Sequence, residues 1–251
     1  MVKPRIIPTL LWKDGSLVKG TCFNNDRIVG SLVPSVRVYQ MRDVDELLLI
    51  DITTKNSGAD IDFSLLRLAA NNSFVPLTFG GGVANCDQIS SILANGGDKV
   101  LINTAAFHNR DFVLEAVDKF GSQCIVAGID YKSTPDREIC VFEKGEQISD
   151  LDPVEYAKTL VSYGVGEIVI TNIDRDGLRC GLDTEYLGKF IDSVDVPVVV
   201  SGGVRDATDY INAFRDLKAS AVAAASIFHF TEQTPLAIKK QLQKNEIQVR
   251  I

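Results

Sequence analysis

Val75-Pro76-Leu77-Thr78-Phe79-Gly80-Gly81-Gly82-Val83 and Val196-Pro197-Val198-Val199-Val200-Ser201-Gly202-Gly203-Val204 stand 121 residues apart in a chain of 251. Each is a short apolar run opened by Val-Pro and closed by glycines. At the same offset Ala105-Ala106-Phe107 meets Ser226-Ile227-Phe228, and Asp51 meets Asn172. Matches that share one register mark two copies of a half-length unit. No linker or low-complexity segment separates the copies, so residues 1–251 are expected to form one domain with internal two-fold pseudo-symmetry.

Working outward, short runs of buried-strand character recur along the whole chain: Arg5–Leu11, Glu46–Ile52, Val75–Phe79, Lys99–Asn103, Gln123–Asp130, Glu167–Asn172, Val196–Ser201 and Ser220–Ala225. Most are continuously apolar, as parallel strands covered on both faces require. Helical patterns lie between them. Val113, Val117 and Phe120 share a face, as do Tyr210, Phe214 and Leu217. Eight strand–helix units in this length predict an α/β fold, a closed (β/α)8 barrel rather than an open sheet.

Composition narrows the function. A net charge of −7 without a basic stripe argues against nucleic acid as the main partner. It leaves room for a phosphorylated metabolite, whose site backbone amides can build. Cys22, Cys86, Cys124, Cys140 and Cys180 are scattered and odd in number, and His108 and His229 are the only histidines. Neither set has metal-site spacing, so reduced thiols and no metal are expected. No apolar run approaches the roughly 18 residues of a membrane span. The stretch from Met1 to Trp12 is a poor secretory signal, so a cytoplasmic protein is expected.

Glycines between a strand and a helix allow close backbone approach and turn N–H groups toward an anion. Gly81 and Gly82 follow the third run, and Gly202 and Gly203 the seventh. Asn103-Thr104 and Ala225-Ser226 end the fourth and eighth runs, where a small side chain opens a helix. A single glycine turn more often just ends a strand. Two in register, each followed by a hydroxyl-bearing strand end, predict phosphate binding at both sides of the barrel mouth, hence a ligand anionic at both ends.

Catalytic groups in such barrels lie at strand C-termini, where Asp51, Asp130, Asp174 and Asp176 fall. Asp130 closes an apolar run and is the best candidate general acid, since a carboxyl at a dry barrel mouth can have a raised pKa. A helix cap or loop aspartate is an equal alternative from spacing alone. Thr171, Asp176 and Gly177 lie around the end of run six, in or beside a polar loop suited to substrate. Asp14-Gly15 makes a turn after run one, and Lys19 adds a cation to a long loop that could cover the site.

The motifs Arg5-Ile6-Ile7-Pro8, Lys13-Asp14-Gly15 with Val18-Lys19-Gly20, and Asp45-Glu46-Leu47 leading to Leu49-Ile50-Asp51-Ile52-Thr53 belong together. They continue through Asp98-Lys99-Val100, Asn103-Thr104-Ala105-Ala106, Phe120-Gly121-Ser122-Gln123 and Asp174-Arg175-Asp176-Gly177 to Ala225-Ser226-Ile227-Phe228-His229-Phe230. With them the chain resembles, from end to end, the cyclase subunits of imidazole glycerol phosphate synthase. The resemblance implies a glutaminase partner in a heterodimer, with ammonia entering at the barrel floor and travelling through its interior. It implies a charged entrance ring of Arg5, Glu46, Lys99 and Glu167, a docking face that includes Asp98 and Gln123, and no cofactor.

Position 11 departs from the family. Where those cyclases carry Cys-Leu-Asp, this chain reads Thr9-Leu10-Leu11. The missing aspartate is one of two carboxylates that share the acid–base work of ring closure, and losing one of such a pair costs ~10²–10⁴-fold in rate. Gly30 and Val36-Arg37-Val38-Tyr39 also drift. The chain looks like the branch linked to surface-polysaccharide synthesis, in which ammonia converts an acetamido group on a nucleotide-linked sugar to acetamidino. The histidine-pathway cyclase and a non-catalytic ammonia conduit that activates the glutaminase are the competing readings.

Overall fold

The computed structural model describes residues 3–53 and 61–250; Met1 and Val2 of the N-terminal stretch read above lie outside that range. Its strands are β1 (Arg5–Lys13), β2 (Ser16–Thr21), β3 (Asn24–Gly30), β4 (Leu47–Asp51), β5 (Leu77–Gly80), β6 (Lys99–Ile102), β7 (Ile125–Ser133), β8 (Glu138–Phe142), β9 (Gln147–Ile148), β10 (Glu167–Asn172), β11 (Val198–Ser201) and β12 (Ala221–Ala224). Eight of them pair in parallel in the order β1-β4-β5-β6-β7-β10-β11-β12, and β12 returns to β1, which closes the barrel. All eight coincide with the runs predicted from sequence, shifted at their ends by up to three residues.

The helices are α1 (Leu32–Gln40), α2 (Phe63–Ala70), α3 (Cys86–Ala94), α4 (Thr104–His108), α5 (Arg110–Phe120), α6 (Pro153–Ser162), α7 (Thr184–Ile191), α8 (Ala207–Arg215), α9 (Ser226–Phe230) and α10 (Pro235–Lys244). Strand side chains alternate between two buried surfaces. Ile6, Leu10, Leu47, Leu49, Ile129 and Ile170 face the helices. Ile7, Leu48, Leu101, Val126, Val169, Val199, Ala221 and Ala223 fill the barrel interior. Burial on both faces is why the strands read as continuous apolar runs. Val113 packs in the core as predicted, whereas Leu217 lies beyond the end of α8.

The two-fold repeat holds in detail. Helices α3 and α8 begin and end 121 residues apart and are capped at equivalent positions, Asn85 Oδ1 accepting from Gln88 N at 2.9 Å and Asp206 Oδ1 from Thr208 N at 2.8 Å. Each cap satisfies an N–H that the first turn leaves unpaired.

The sequence reading needs correction above the barrel mouth. The expected long loop after strand 1 is largely a β-hairpin: β1 runs on to Lys13 and pairs antiparallel with β2. Asp14 and Gly15 both have positive φ, 45° and 88°, as a two-residue hairpin turn matched to strand twist demands. The fifth strand likewise does not end at Asp130 but continues to Ser133 and pairs with β8. Each half-barrel thus raises a ribbon from its first strand over the cleft.

Candidate functional site

The strand C-termini and the two ribbons enclose a cleft of about 790 Å³. Lys19, Asp51, Gly81, Gly82, Asn103, Thr104, Asp130, Thr171, Asp176, Gly177, Gly202, Gly203, Ala225 and Ser226 all line it. Asp174 does not. Its carboxylate accepts from Ser133 N at 2.9 Å, anchoring the β7 ribbon to the loop after β10.

The glycine turns form two equivalent cradles. Gly81 has φ 109° and Gly202 φ 94°, in the region that disfavours side chains. A Cβ on Gly81 would stand 2.1 Å from the Asp51 carbonyl oxygen, and one on Gly202 would stand 2.4 Å from that of Asn172. Asp51 and Asn172 are the pair matched in the sequence repeat. Each turn therefore presses against the end of a neighbouring strand, where only glycine fits.

Between the cradles sits Asp130. Asn103 Nδ2 donates to its Oδ2 at 2.7 Å, and Thr171 also bonds it. Burial pushes its carboxyl up to about 7 and the charge of Asp176 adds to that, outweighing the pull of Asn103 and Thr171. Such a group can give or take a proton near neutrality. Above it, Lys19, 3 % exposed at its side chain, is ion-paired to Asp176, and the Cys22 amide donates to the Asp176 carbonyl at 2.8 Å. His229 lies behind Lys19. Burial lowers its pKa to about 4 and the charge of Lys19 reinforces this, so the ring is neutral at neutral pH.

The departure at position 11 acquires a geometry here. Leu11 pairs with Ile50 of β4 on one side and Val18 of β2 on the other. Asp130 pairs with Thr171 of β10 and Val141 of β8. The two positions are equivalent about the pseudo-two-fold, so the cleft has one carboxyl where its symmetry provides places for two.

The opposite end of the barrel is closed by charge. Arg5 Nη1 donates to Glu46 at 2.6 Å and Nη2 bonds Glu167; Lys99 Nζ reaches Glu46 at 2.9 Å and Glu167 at 2.7 Å. Each cation thus bridges both carboxylates in a closed square, and Thr78 Oγ1 donates to Glu46 at 2.6 Å. Burial works against ionisation, but the bonds outweigh it: the Arg5 pKa is raised and that of Glu167 lowered. Of the two expected docking residues, Asp98 accepts from Leu77 N at 2.8 Å and Gln123 leans on the Phe120 carbonyl at 3.5 Å.

Sequence reasoning passed over several lining side chains. Lys132 and Lys144 come from the β7–β9 ribbon and Arg179 from the loop after β10. Lys144 Nζ crosses the mouth to the Ile52 carbonyl, and Glu143 N donates to Thr104 Oγ1 at 3.2 Å. The apolar stretch Ile139–Phe142 followed by Glu143-Lys144-Gly145 was the available signal for that ribbon. Thr9 lines the cleft too, its hydroxyl buried and without a partner among the described residues.

Comparison with known proteins agrees with this construction. Residues 5–234 match the family model described as histidine biosynthesis protein. The chain is 39% identical over 251 residues, covering all of both chains, to a protein of Campylobacter jejuni subsp. jejuni serotype O:2 provisionally named imidazole glycerol phosphate synthase subunit hisF2. A closed barrel with paired glycine cradles, a charged floor and this full-length similarity place the chain in the histidine biosynthesis protein family, among the cyclase-type subunits of imidazole glycerol phosphate synthase.

Proposed function

We propose that this subunit takes ammonia from a glutaminase docked on the barrel floor and delivers it to an acceptor carrying anionic groups at both ends, held in the cleft. The acceptor we favour is a nucleotide-linked sugar whose acetamido group becomes acetamidino, as surface polysaccharide synthesis requires. The observation that carries this choice is Leu11 at the place equivalent to Asp130.

The parts assigned in this reading are as follows. Arg5, Glu46, Lys99 and Glu167 gate the entrance, with Asp98 and Gln123 on the docking face. Above the gate lies the apolar layer of Ile7, Leu48, Leu101, Val126, Val169, Val199, Ala221 and Ala223. Such a layer admits neutral ammonia and opposes ammonium, because a charge without partners is costly to bury. Gly81, Gly82, Asn103 and Thr104 hold one anionic end, and Gly202, Gly203, Ala225 and Ser226 the other. Lys19, Asp51, Thr171, Asp176 and Gly177 position the acceptor, and Asp130 moves the proton. Leu11 cannot be its partner in a two-carboxylate ring closure.

The two intact cradles favour one further reading, the histidine-pathway cyclase, which makes imidazole glycerol phosphate and an aminoimidazole carboxamide ribotide from a doubly phosphorylated ribulosyl-formimino intermediate. The complex of this chain with its glutaminase, given that intermediate and glutamine, separates the two. We expect no ring closure by the wild type, stimulation of the glutaminase, and ring closure appearing in Leu11→Asp. Efficient turnover by the wild type would establish the cyclase reading instead.

A further inference from the structure

Among the described residues, three polar side-chain atoms lining the cleft are buried without a hydrogen-bond partner: Thr9 Oγ1, Asn103 Oδ1 and Ser226 Oγ. Buried polar atoms of folded proteins nearly always have partners, so each exception needs an explanation, and at the wall of a cleft an occupant can supply it. Asn103 and Ser226 belong to the anion cradles proposed above. Thr9 does not. It is 9 % exposed and lies on β1, two residues below Leu11 on the same strand face. Only its main chain is engaged, by His229.

The setting of that hydroxyl is unusual. Thr9 pairs with Leu48, and Leu11 with Ile50. These four side chains form one wall, with three aliphatic groups around a single hydroxyl. At the equivalent place in the second half, Gly128 pairs with Val169 and Asp130 with Thr171. That wall has a carboxyl and a hydroxyl bonded to each other. One side of the cleft is thus prepared for proton transfer, and the facing side for something short, apolar and able to make one hydrogen bond.

Few groups meet that description. An ammonium would bring a charge among Leu11, Leu48 and Ile50, whose side chains offer it no counterion. A sugar hydroxyl could bond Thr9 but would leave the aliphatic surface uncovered. A methyl joined to a carbonyl satisfies both requirements. We infer that Thr9, Leu11, Leu48 and Ile50 form a subsite for the N-acetyl group of the acceptor, the methyl against Leu11 and Ile50 and the carbonyl oxygen accepting from Thr9 Oγ1. The chemistry of this acceptor rests on the proposed function; the subsite itself is a statement about binding and stands or falls without any ammonia transfer.

Calorimetric titration of the full chain with N-acetylglucosamine 1-phosphate, glucosamine 1-phosphate and glucose 1-phosphate tests it. The N-acetyl compound is expected to bind about tenfold more tightly than the other two. Thr9→Val should remove about three- to tenfold of that preference, the size of one neutral hydrogen bond, and Leu11→Asp about tenfold or more. Inorganic phosphate affinity should not change in either variant. Because the hydroxyl is unpaired without ligand, Thr9→Val should leave Tm unchanged or raise it. Equal binding of the three sugar phosphates, no binding of the N-acetyl compound, a preference untouched by Thr9→Val, or a Tm loss in that variant would each overturn the subsite. A Thr9-dependent preference without glutamine-dependent amidination would keep the subsite and reject the proposed reaction. Amidination indifferent to Thr9→Val would do the reverse.

Discussion

In the first half-barrel Leu11 lies between Ile50 and Val18; in the second, Asp130 lies between Thr171 and Val141. At the floor the asymmetry runs the other way. Glu46 and Glu167 occupy places 121 residues apart, but both cations that bridge them, Arg5 and Lys99, come from the first half, and Lys99 is matched by Ser220. The glycine cradles are the same in both. Duplication supplied two copies of one scaffold, and its side chains then diverged unequally: a buried carboxyl on one side of the mouth, an apolar wall on the other, and both bridging cations on one side of the floor. Glycine turns resist divergence because their backbone contacts admit no side chain. A strand-end side chain facing a cleft is free to change.

The largest test concerns the floor. If the square is one shared device, breaking it from either half should cost alike. Lys99→Met leaves two nearly buried carboxylates to Arg5 alone, and Glu167→Gln leaves excess positive charge. Each is expected to lower stability by about 3 kcal/mol, the lower end of what breaking a buried ion pair costs. Urea unfolding measures it, and a loss below about 1 kcal/mol from one half alone would show that the charges act as separate pairs.

The next test concerns the mouth. The Asp130 carboxyl keeps its proton up to about pH 7 in the folded chain but has an ordinary value of 3.8 when free. Below about pH 4 it is protonated in both states and costs nothing. As pH rises toward 7 the unfolded chain ionises freely while the folded chain cannot, so Asp130 increasingly destabilises the fold, and the penalty is complete above that pH. Asp130→Asn should therefore stabilise the protein at pH 8, and by less than half as much at pH 5. Leu11→Asn, at the equivalent place, should show no such pH dependence. An equal gain from Asp130→Asn at both pH values would remove the raised pKa from the account.

The smallest expected effect tests the feature the halves share. Gly81→Ala and Gly202→Ala should each cost about 1–3 kcal/mol, the scale of a side chain forced into left-handed backbone. Each should abolish anion binding at its own cradle and spare the other, as phosphate titration followed by NMR would report. If one substitution is tolerated, the cradles are not equivalent.

The barrel strands were legible because each is apolar on two faces and bounded by glycine, proline or polar residues. The cradles were legible because the repeat put Gly81-Gly82 and Gly202-Gly203 in one register. The ribbons were not, although Asp14-Gly15 is a two-residue hairpin turn in plain sight. Strands β2 and β3 lack a clean apolar alternation: β3 is mostly exposed, and its register comes from pairing with β2 rather than from a buried face. Lys132, Lys144 and Arg179 escaped notice for the same reason. They lie on segments with no strand-end position of the barrel to mark them.

Residue type and spacing alone determined the closed barrel, its duplication and the paired glycine turns. Those follow from local rules: which side chains tolerate burial on two faces, and where only glycine can turn. Whether Asp130 caps a helix or lies buried with a raised pKa, whether Arg5, Glu46, Lys99 and Glu167 meet, and whether the Thr9 hydroxyl is left alone were decided by tertiary structure. Protonation and pairing depend on what surrounds a group in space, and in this fold those neighbours come from strands up to 162 residues away along the chain.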